Sequence, residues 1–266
     1  MKIILFTSNS RRHKFIANNI MKHCDDILII SECKPNDESE IIHDQNNSIE
    51  RHFHERNKNE KLSFPDDDYF YGKTFPIIYK EVNSVRIEKI ITDFCPDVGF
   101  VYGSSIISDK LIKLFPKNKL INLHLGISPY YRGAGTNFWP FVNNELEYVG
   151  STFLHLDPGI DTGDIICHVR PQFKKDDNVH TVGFRLIKNS LDVLFHIIEM
   201  LKQNKKLNKI KQWEVNDPKY YKNSDFDKKA LQHYHENLMN HVIDTHIQNP
   251  KKIKLIELDP DYKLFT

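Results

Sequence analysis

Asn122 and His124 stand two residues apart at the end of a short apolar run. The chain then enters a turn-rich stretch, Leu125-Gly126-Ile127-Ser128-Pro129-Tyr130-Tyr131-Arg132-Gly133. Further on comes an acidic, glycine-bearing loop, Asp157-Pro158-Gly159-Ile160-Asp161-Thr162-Gly163-Asp164. Side chains two apart on a strand leave on the same side of the sheet. The Asn122 amide can hold a developing oxyanion, and His124 can donate or accept a proton near neutral pH. Asp161 can take a proton directly or through water, and can orient or charge the histidine. Taken singly, an Asn or a His at a strand end is more often an ordinary hydrogen-bonding residue, and acidic glycine-rich turns are common in plain loops. The three in this order make the candidate site.

Other signals are weaker. Gly103-Ser104-Ser105 does not read G-x-S-x-G, which argues against a serine hydrolase. His124, His155, His168 and His180 lack a compact ligand spacing, and Cys24, Cys33, Cys95 and Cys167 form no C-x-x-C pair, so no metal is expected. Thr7-Ser8-Asn9-Ser10 at a helix start reads first as an N-cap and second as an anion cradle.

Positioning these residues falls to an α/β framework. Residues 3–6 are a continuous apolar run ending in a polar turn, the mark of a buried parallel strand. A helix with Phe15, Ile16, Ile20 and Met21 on one face follows, then a second strand at 27–30. This β–α–β start predicts a parallel sheet with right-handed crossovers. Runs at 98–102 and 119–123 read as further strands, the latter ending at the carboxyl edge where open sheets bind ligands. Amphipathic residues 85–94 read as a helix stopped by Pro96, with short helices at 108–115 and 137–144. Strands at 148–156 and 164–169 flank the Asp-Pro-Gly loop. A long helix capped by Asp177 or Asn178 carries a core stripe of Val182, Leu186, Leu191, Leu194, Ile198 and Leu201. The expected fold is Rossmann-like α/β: a mostly parallel sheet flanked by helices, with a short C-terminal extension. Residues 1–212 form the catalytic domain. Polar residues 33–80 read as a surface excursion or a lid-like insertion, with an exposed helix at 51–61. Residues 213–266 read as a helical, aromatic extension with a helix through 226–242.

The 266 residues carry a net charge of +1, with 39% hydrophobic and 27% charged residues, an ordinary globular composition able to bury a sizeable core. That charge gives no field for drawing in a polyanion, so DNA is not expected as a partner and tRNA is disfavoured. Scattered cysteines, no secretory signal and no apolar run of membrane-spanning length point to a cytoplasmic protein that does not enter membranes.

Asn122-Leu-His124, Pro129-x-Tyr131-Arg132-Gly133 and Asp157-x-Gly159-x-Asp161-Thr162-Gly163, in order and at this spacing, resemble the formyltransferase family that uses 10-formyltetrahydrofolate. The resemblance covers roughly residues 1–210 and is sharp over about 80–170. It implies that Asn122, His124 and Asp161 are the catalytic triad. It also implies folate contacts, largely through backbone, at 100–105 (Phe100, Tyr102, Gly103, Ser104, Ser105) and at Asp157, Gly159 and Ile160. The implied chemistry is direct transfer of a formyl group to an amine, with no metal and no covalent enzyme intermediate. The family commonly reads His-Pro-Ser-Leu-Leu-Pro where this chain has His124-Leu125-Gly126-Ile127-Ser128-Pro129, a departure in the wall of the acceptor pocket.

Within that family the tRNA enzymes carry a C-terminal barrel of about 100 residues. The glycinamide ribonucleotide enzymes lack both the 33–80 excursion and a tail. A nucleotide-linked amino sugar, as used for surface polysaccharides such as lipopolysaccharide O-antigen, is the acceptor expected here. Ser8, Asn9, Tyr131, Arg132, Gly133, Trp213 and Tyr221 are the candidate substrate contacts, with Trp213, Tyr220 or Tyr221 either stacking on the carrier's base or packing the tail on the core. A formyltransferase acting on another amine (glycinamide ribonucleotide or methionyl-tRNA), a formyl-folate hydrolase and a non-catalytic nucleotide-sugar binding module are the alternatives. A homodimer through the tail is a further possibility.

Overall fold

The apolar N-terminal run forms β1 (Lys2–Ser8), followed by α1 (Arg11–Ile20), β2 (Asp26–Cys33), α2 (Ser48–Ser63), β3 (Lys73–Ile78), α3 (Val85–Phe94), β4 (Val98–Val101), α4 (Asp109–Ile112) and β5 (Leu120–His124). Then come β6 (Tyr131–Gly133), α5 (Trp139–Val142), β7 (Ser151–His155), β8 (Ile165–Val169), α6 (Val179–Lys202), β9 (Lys219–Tyr221), α7 (Lys228–Met239) and α8 (Val242–Gln248). This computed structural model describes residues 1–34 and 47–259.

Seven strands form one sheet in the order β3-β2-β1-β4-β5-β7-β8. The pairings from β3 to β5 are parallel, and β5–β7 and β7–β8 are antiparallel. This is the mostly parallel, helix-flanked sheet expected from the sequence. Alternate residues of each strand feed opposite faces. Ile3, Leu5, Phe100, Ile121 and Leu123 pack under α1 and α6, while Ile4, Phe6, Val101 and Leu120 pack with Ile87, Ile91 and Leu111 of α3 and α4. Asn178 caps α6 by accepting from the backbone N–H of His180 and Thr181, and Thr181 accepts from the Asn178 N–H in return, so the long helix starts at a closed capping box.

The chain runs outward through β1, β2 and β3 and returns to β4 on the other side of β1. Strand order reverses there, and the loops leaving β1 and β4 diverge to open a crevice at their carboxyl ends. Residues 8–10 and 102–105 leave β1 and β4 at that point.

The 33–80 stretch differs from a surface excursion. Phe64, just past α2, is buried in the core against α1 and α6, and Glu60 of α2 is buried and paired with Arg12. Residues 73–78 add a parallel strand at the sheet edge. Pro76 masks that strand in the sequence, because proline removes a ladder donor, yet an edge strand tolerates it. Residues 35–46 of this stretch lie outside the described residues. In the C-terminal part, β9 pairs with β6 in a small second sheet. A left-handed turn at His241 (φ 57°) splits the expected 226–242 helix into α7 and α8. Ala230, Leu231, Tyr234, Val242 and Ile243 pack on Phe138, Trp139 and Phe141 in a separate aromatic core. Among the described residues no helix is long and apolar enough to cross a membrane.

Candidate active site

β5 ends on Asn122 and His124, and the loop between β7 and β8 brings Asp161 over them. Asn122 Nδ2 donates to Asp161 Oδ1 at 3.2 Å, and His124 Nδ1 lies 3.4 Å from the same oxygen. The second carboxylate oxygen accepts from the backbone N–H of Gly133 at 3.0 Å. The three residues proposed from the sequence are therefore one cluster, held by β5, β6 and the β7–β8 loop.

The histidine's roles follow from its partners. His124 is buried, and its Nε2 lies 3.1 Å from the Tyr131 carbonyl oxygen, which can only accept. Nε2 therefore carries a proton, and Nδ1 is the nitrogen presented to the site. Facing a carboxylate oxygen, Nδ1 is satisfied when it too carries a proton. The arrangement leaves Nδ1 as the nitrogen that faces the Asp161 carboxylate.

Close packing fixes this ring. A Cβ on Gly126 would overlap His124 Nε2 and would lie 2.7 Å from the Thr136 Cβ. Thr136 itself donates to the Leu125 carbonyl. The glycine that departs from the family's His-Pro-Ser pattern thus leaves room for the imidazole. Behind the same loop, His168 of β8 donates through Nε2 to the Ser128 carbonyl at 2.8 Å, and its Nδ1 accepts from the Ile256 N–H at 2.8 Å. Burial pushes its pKa down to about 4, so it is a neutral strut rather than a reacting group.

Asp157 organises the loop that carries Asp161. Its Oδ1 accepts from the Gly159 N–H at 3.1 Å and from the Thr162 hydroxyl at 2.8 Å. The tip, including Ile160, is left exposed. Asp161 takes a left-handed backbone (φ 53°), a conformation Asp tolerates better than most residues.

The second set of expected contacts lies at the crevice between β1 and β4. Phe100 and Tyr102 point into the core, leaving Gly103-Ser104-Ser105 at the edge. Gly103 has φ 75°, and a Cβ there would overlap His13 Nε2. The Tyr102 hydroxyl and the Ser104 and Ser105 hydroxyls are buried without a hydrogen-bond partner, as are the Ser10 hydroxyl and His13 Nδ1 across the crevice. Burial first, then the charges of Arg12, Lys34 and Arg56, hold the His13 pKa well below the usual range, so it is neutral. Ser8 is buried, with its hydroxyl toward the Glu32 carbonyl, and Asn9 Oδ1 faces the Lys34 N–H at 3.5 Å.

Several residues act here that motif reading did not single out. Glu32, fully buried at the end of β2, accepts from the Ser105 N–H at 2.7 Å and from the Lys80 N–H at 2.9 Å, and so shapes the 103–105 loop. His13 walls that loop. The available signal for Glu32 was a charged residue ending an apolar strand.

Of the expected substrate contacts, Gly133 and Tyr131 sit against the triad through their backbones. Gly133 has φ 92°, and a Cβ there would overlap the Tyr221 carbonyl. The Tyr131 side chain turns away, donates to Glu145 and accepts from Asn143. Arg132 Nε is buried without a partner. The Tyr221 ring stacks on Trp139 at 3.9 Å, inside the aromatic core. Trp213 lies outside the triad in a pocket of about 490 Å3, shared with Tyr130, Tyr148 and Glu145, and has the Lys254 ammonium over its ring at 4.2 Å. Among the described residues no group of three or more His, Cys, Asp or Glu is placed to hold a metal ion.

Comparison with known proteins meets this geometry. The formyl transferase family profile matches residues 37–198. A methionyl-tRNA formyltransferase of Prochlorococcus marinus is 26% identical over 149 residues, covering 55% of this chain and 45% of that protein. The chain thus spans about half the length of the curated relatives it matches. Two solved structures share the fold. One is an N-formyltransferase of Helicobacter canadensis, in complex with folinic acid and dTDP-3-aminofucose (TM-score 0.54, 17% identity, 88% of this chain and 79% of that one). The other is a 4-N formyltransferase of Francisella tularensis (TM-score 0.58, 20% identity, 88% and 86%). With a family match across more than half of its length, spanning β5 and the loop that carries Asp161, this chain belongs to the formyl transferase family.

Proposed function

We propose that this protein transfers the formyl group of 10-formyltetrahydrofolate to the amine of a nucleotide-linked amino sugar, for surface polysaccharides such as lipopolysaccharide O-antigen. The observation that carries formyl transfer is the convergence of Asn122 Nδ2 and His124 Nδ1 on one oxygen of Asp161. Two donors and one base share a point where a carbonyl and an attacking amine would meet.

The crevice beside it fits the folate. A flat ring with hydrogen-bonding edges suits a site that offers the unpartnered hydroxyls of Ser104 and Ser105 beside the glycine backbone at Gly103. The folate supplies an activated formyl group. Asn122 Nδ2 and His124 Nδ1 then stabilise negative charge building on the formyl oxygen. Asp161 accepts the proton that the amine gives up, directly or through a water, and returns one to the folate nitrogen as its bond to the formyl carbon breaks, leaving tetrahydrofolate and the formylated amine. Burial of His124 behind Tyr131 and Gly126 keeps its Nδ1 aimed at that oxygen rather than at solvent.

The sugar acceptor is supported by the fold shared with the Helicobacter canadensis enzyme, which is bound to an amino-sugar nucleotide. A net charge of +1 adds to this, because it supplies no attraction for a tRNA. The test is a panel of acceptors with 10-formyltetrahydrofolate, read by mass: dTDP- and UDP-linked 3-amino and 4-amino sugars, glycinamide ribonucleotide and methionyl-tRNA. Formyl gain on an amino-sugar nucleotide is expected. Gain only on tRNA or the ribonucleotide, folate turnover without any amine, or sugar binding without turnover would each overturn the sugar assignment.

A further inference from the structure

Gln212 stands where the composition changes from the catalytic domain to the tail, and nothing in the motifs points to it. Its side-chain amide lies under the catalytic loop. Nε2 donates to the Asp161 carbonyl at 2.7 Å and to the Gly163 carbonyl at 3.0 Å. One NH2 group has two protons, so it can satisfy both carbonyls at once and close the 161–163 turn from beneath. The opposite orientation would place the amide oxygen against two carbonyl oxygens, so the assignment of Nε2 follows from the partners. Oε1 is left buried and unpartnered.

The bridge joins two segments that are each anchored elsewhere. Residues 208–212 run along the outer edge of β8. Ile210 exchanges both backbone hydrogen bonds with Ile165, at 2.7 and 3.0 Å, and Asn208 Nδ2 donates to the Ile166 carbonyl at 3.0 Å. On the other side, Gly163 packs so closely on the His155 carbonyl that a Cβ would overlap it. Asp161 sits between these anchors with φ 53°. Its carboxylate is aimed by the backbone orientation at this one residue, because a short side chain has little reach to correct an error in its Cα–Cβ direction. A misplacement of about 1 Å at a reacting group can cost on the order of 100-fold in rate.

We propose that Gln212 is a positioning residue for Asp161: it locks the left-handed turn that holds the carboxylate against Asn122, His124 and the Gly133 N–H. This rests on the reading of Asn122, His124 and Asp161 as the reacting cluster. The 208–212 strap is then a working part of the site, and a disturbance at Trp213, the next residue, reaches Asp161 through it.

The test compares Gln212→Met, which keeps the side chain's length and bulk without a donor, with Gln212→Glu, which sets carboxylate oxygens against the two carbonyls. Native-state hydrogen exchange needs no acceptor. Loss of the bridge frees the Asp161 carboxylate, so the Gly133 amide is expected to exchange at least tenfold faster in both variants, with the amides of β1 and α6 unchanged. With formyl-folate and the acceptor, kcat is expected to fall tenfold or more, further in Gln212→Glu, with both KM values within threefold. Unchanged Gly133 protection overturns the proposal. So does faster exchange spread evenly over the core, which marks a purely structural role, or a kcat within twofold of the parent. If no acceptor in the panel is formylated, the exchange arm still decides the role of Gln212 separately from the sugar assignment.

Discussion

His124 and Asp161 face each other across the end of β5, Nδ1 to Oδ1 at 3.4 Å, with the imidazole pinned from behind by the Tyr131 carbonyl. The pinned nitrogen sets which proton is available to chemistry. The carboxylate opposite is the acceptor that Nδ1 faces.

Removing either partner should abolish turnover while leaving the fold. His124→Ala and Asp161→Asn are expected to lower kcat by about 100- to 1,000-fold, the range seen when a preorganised donor or base is lost. Circular dichroism and thermal melting should be close to the parent. Near-normal turnover in either purified variant would remove the assignment.

Gly126→Ala tests the room behind the imidazole. The added methyl collides with His124 Nε2 and crowds Thr136, so the ring must move or the loop must open. Expected is a kcat loss of at least tenfold and a destabilisation of about 1–3 kcal/mol, the usual cost of overpacking. Steady-state kinetics and denaturant titration read both. Full activity would show that the loop yields without moving the ring.

Glu32→Gln tests the crevice. The carboxylate accepts two backbone N–H groups on two different loops, and an amide would turn one acceptor into a donor facing a donor. The 103–105 loop should loosen, raising KM for the formyl-folate several-fold while kcat falls less, with about 1–3 kcal/mol lost in stability. An unchanged folate KM would sever Glu32 from the crevice.

Acid should destabilise the protein over a defined window. Burial lowers the pKa of His168 to about 4, that of His52 to about 4 and that of His180 to about 3. A depressed folded-state pKa means that the unfolded chain binds protons first. Stability is therefore full above about pH 6.5 and is lost as pH falls toward 4, by about 3 kcal/mol for a group shifted this far. His168 has a visible reason: its Nδ1 accepts from the Ile256 N–H, and a proton there would meet a donor. Denaturant midpoints measured between pH 7.5 and 4.5 should fall steadily, and a flat profile would contradict neutral burial of these rings.

The sequence alone determined the framework and the three residues, Asn122, His124 and Asp161, that the fold brings together. Buried parallel strands announce themselves as unbroken apolar runs, as at 3–6 and 98–101. Side-chain alternation puts Asn122 and His124 on one side without any tertiary information. β3 stayed hidden because its apolar signal is short and broken by Pro76, which an edge strand accepts. Only the tertiary structure decided what holds the site. Glu32, His168 and Gln212 act through backbone groups far away in sequence, and hydrogen bonds between a side chain and a distant main chain leave no periodicity or spacing to read. Gly126 and Gly133 show the same divide. A glycine is visible as a letter, but the atom that excludes a Cβ, His124 Nε2 in one case and the Tyr221 carbonyl in the other, arrives only when the chain is folded.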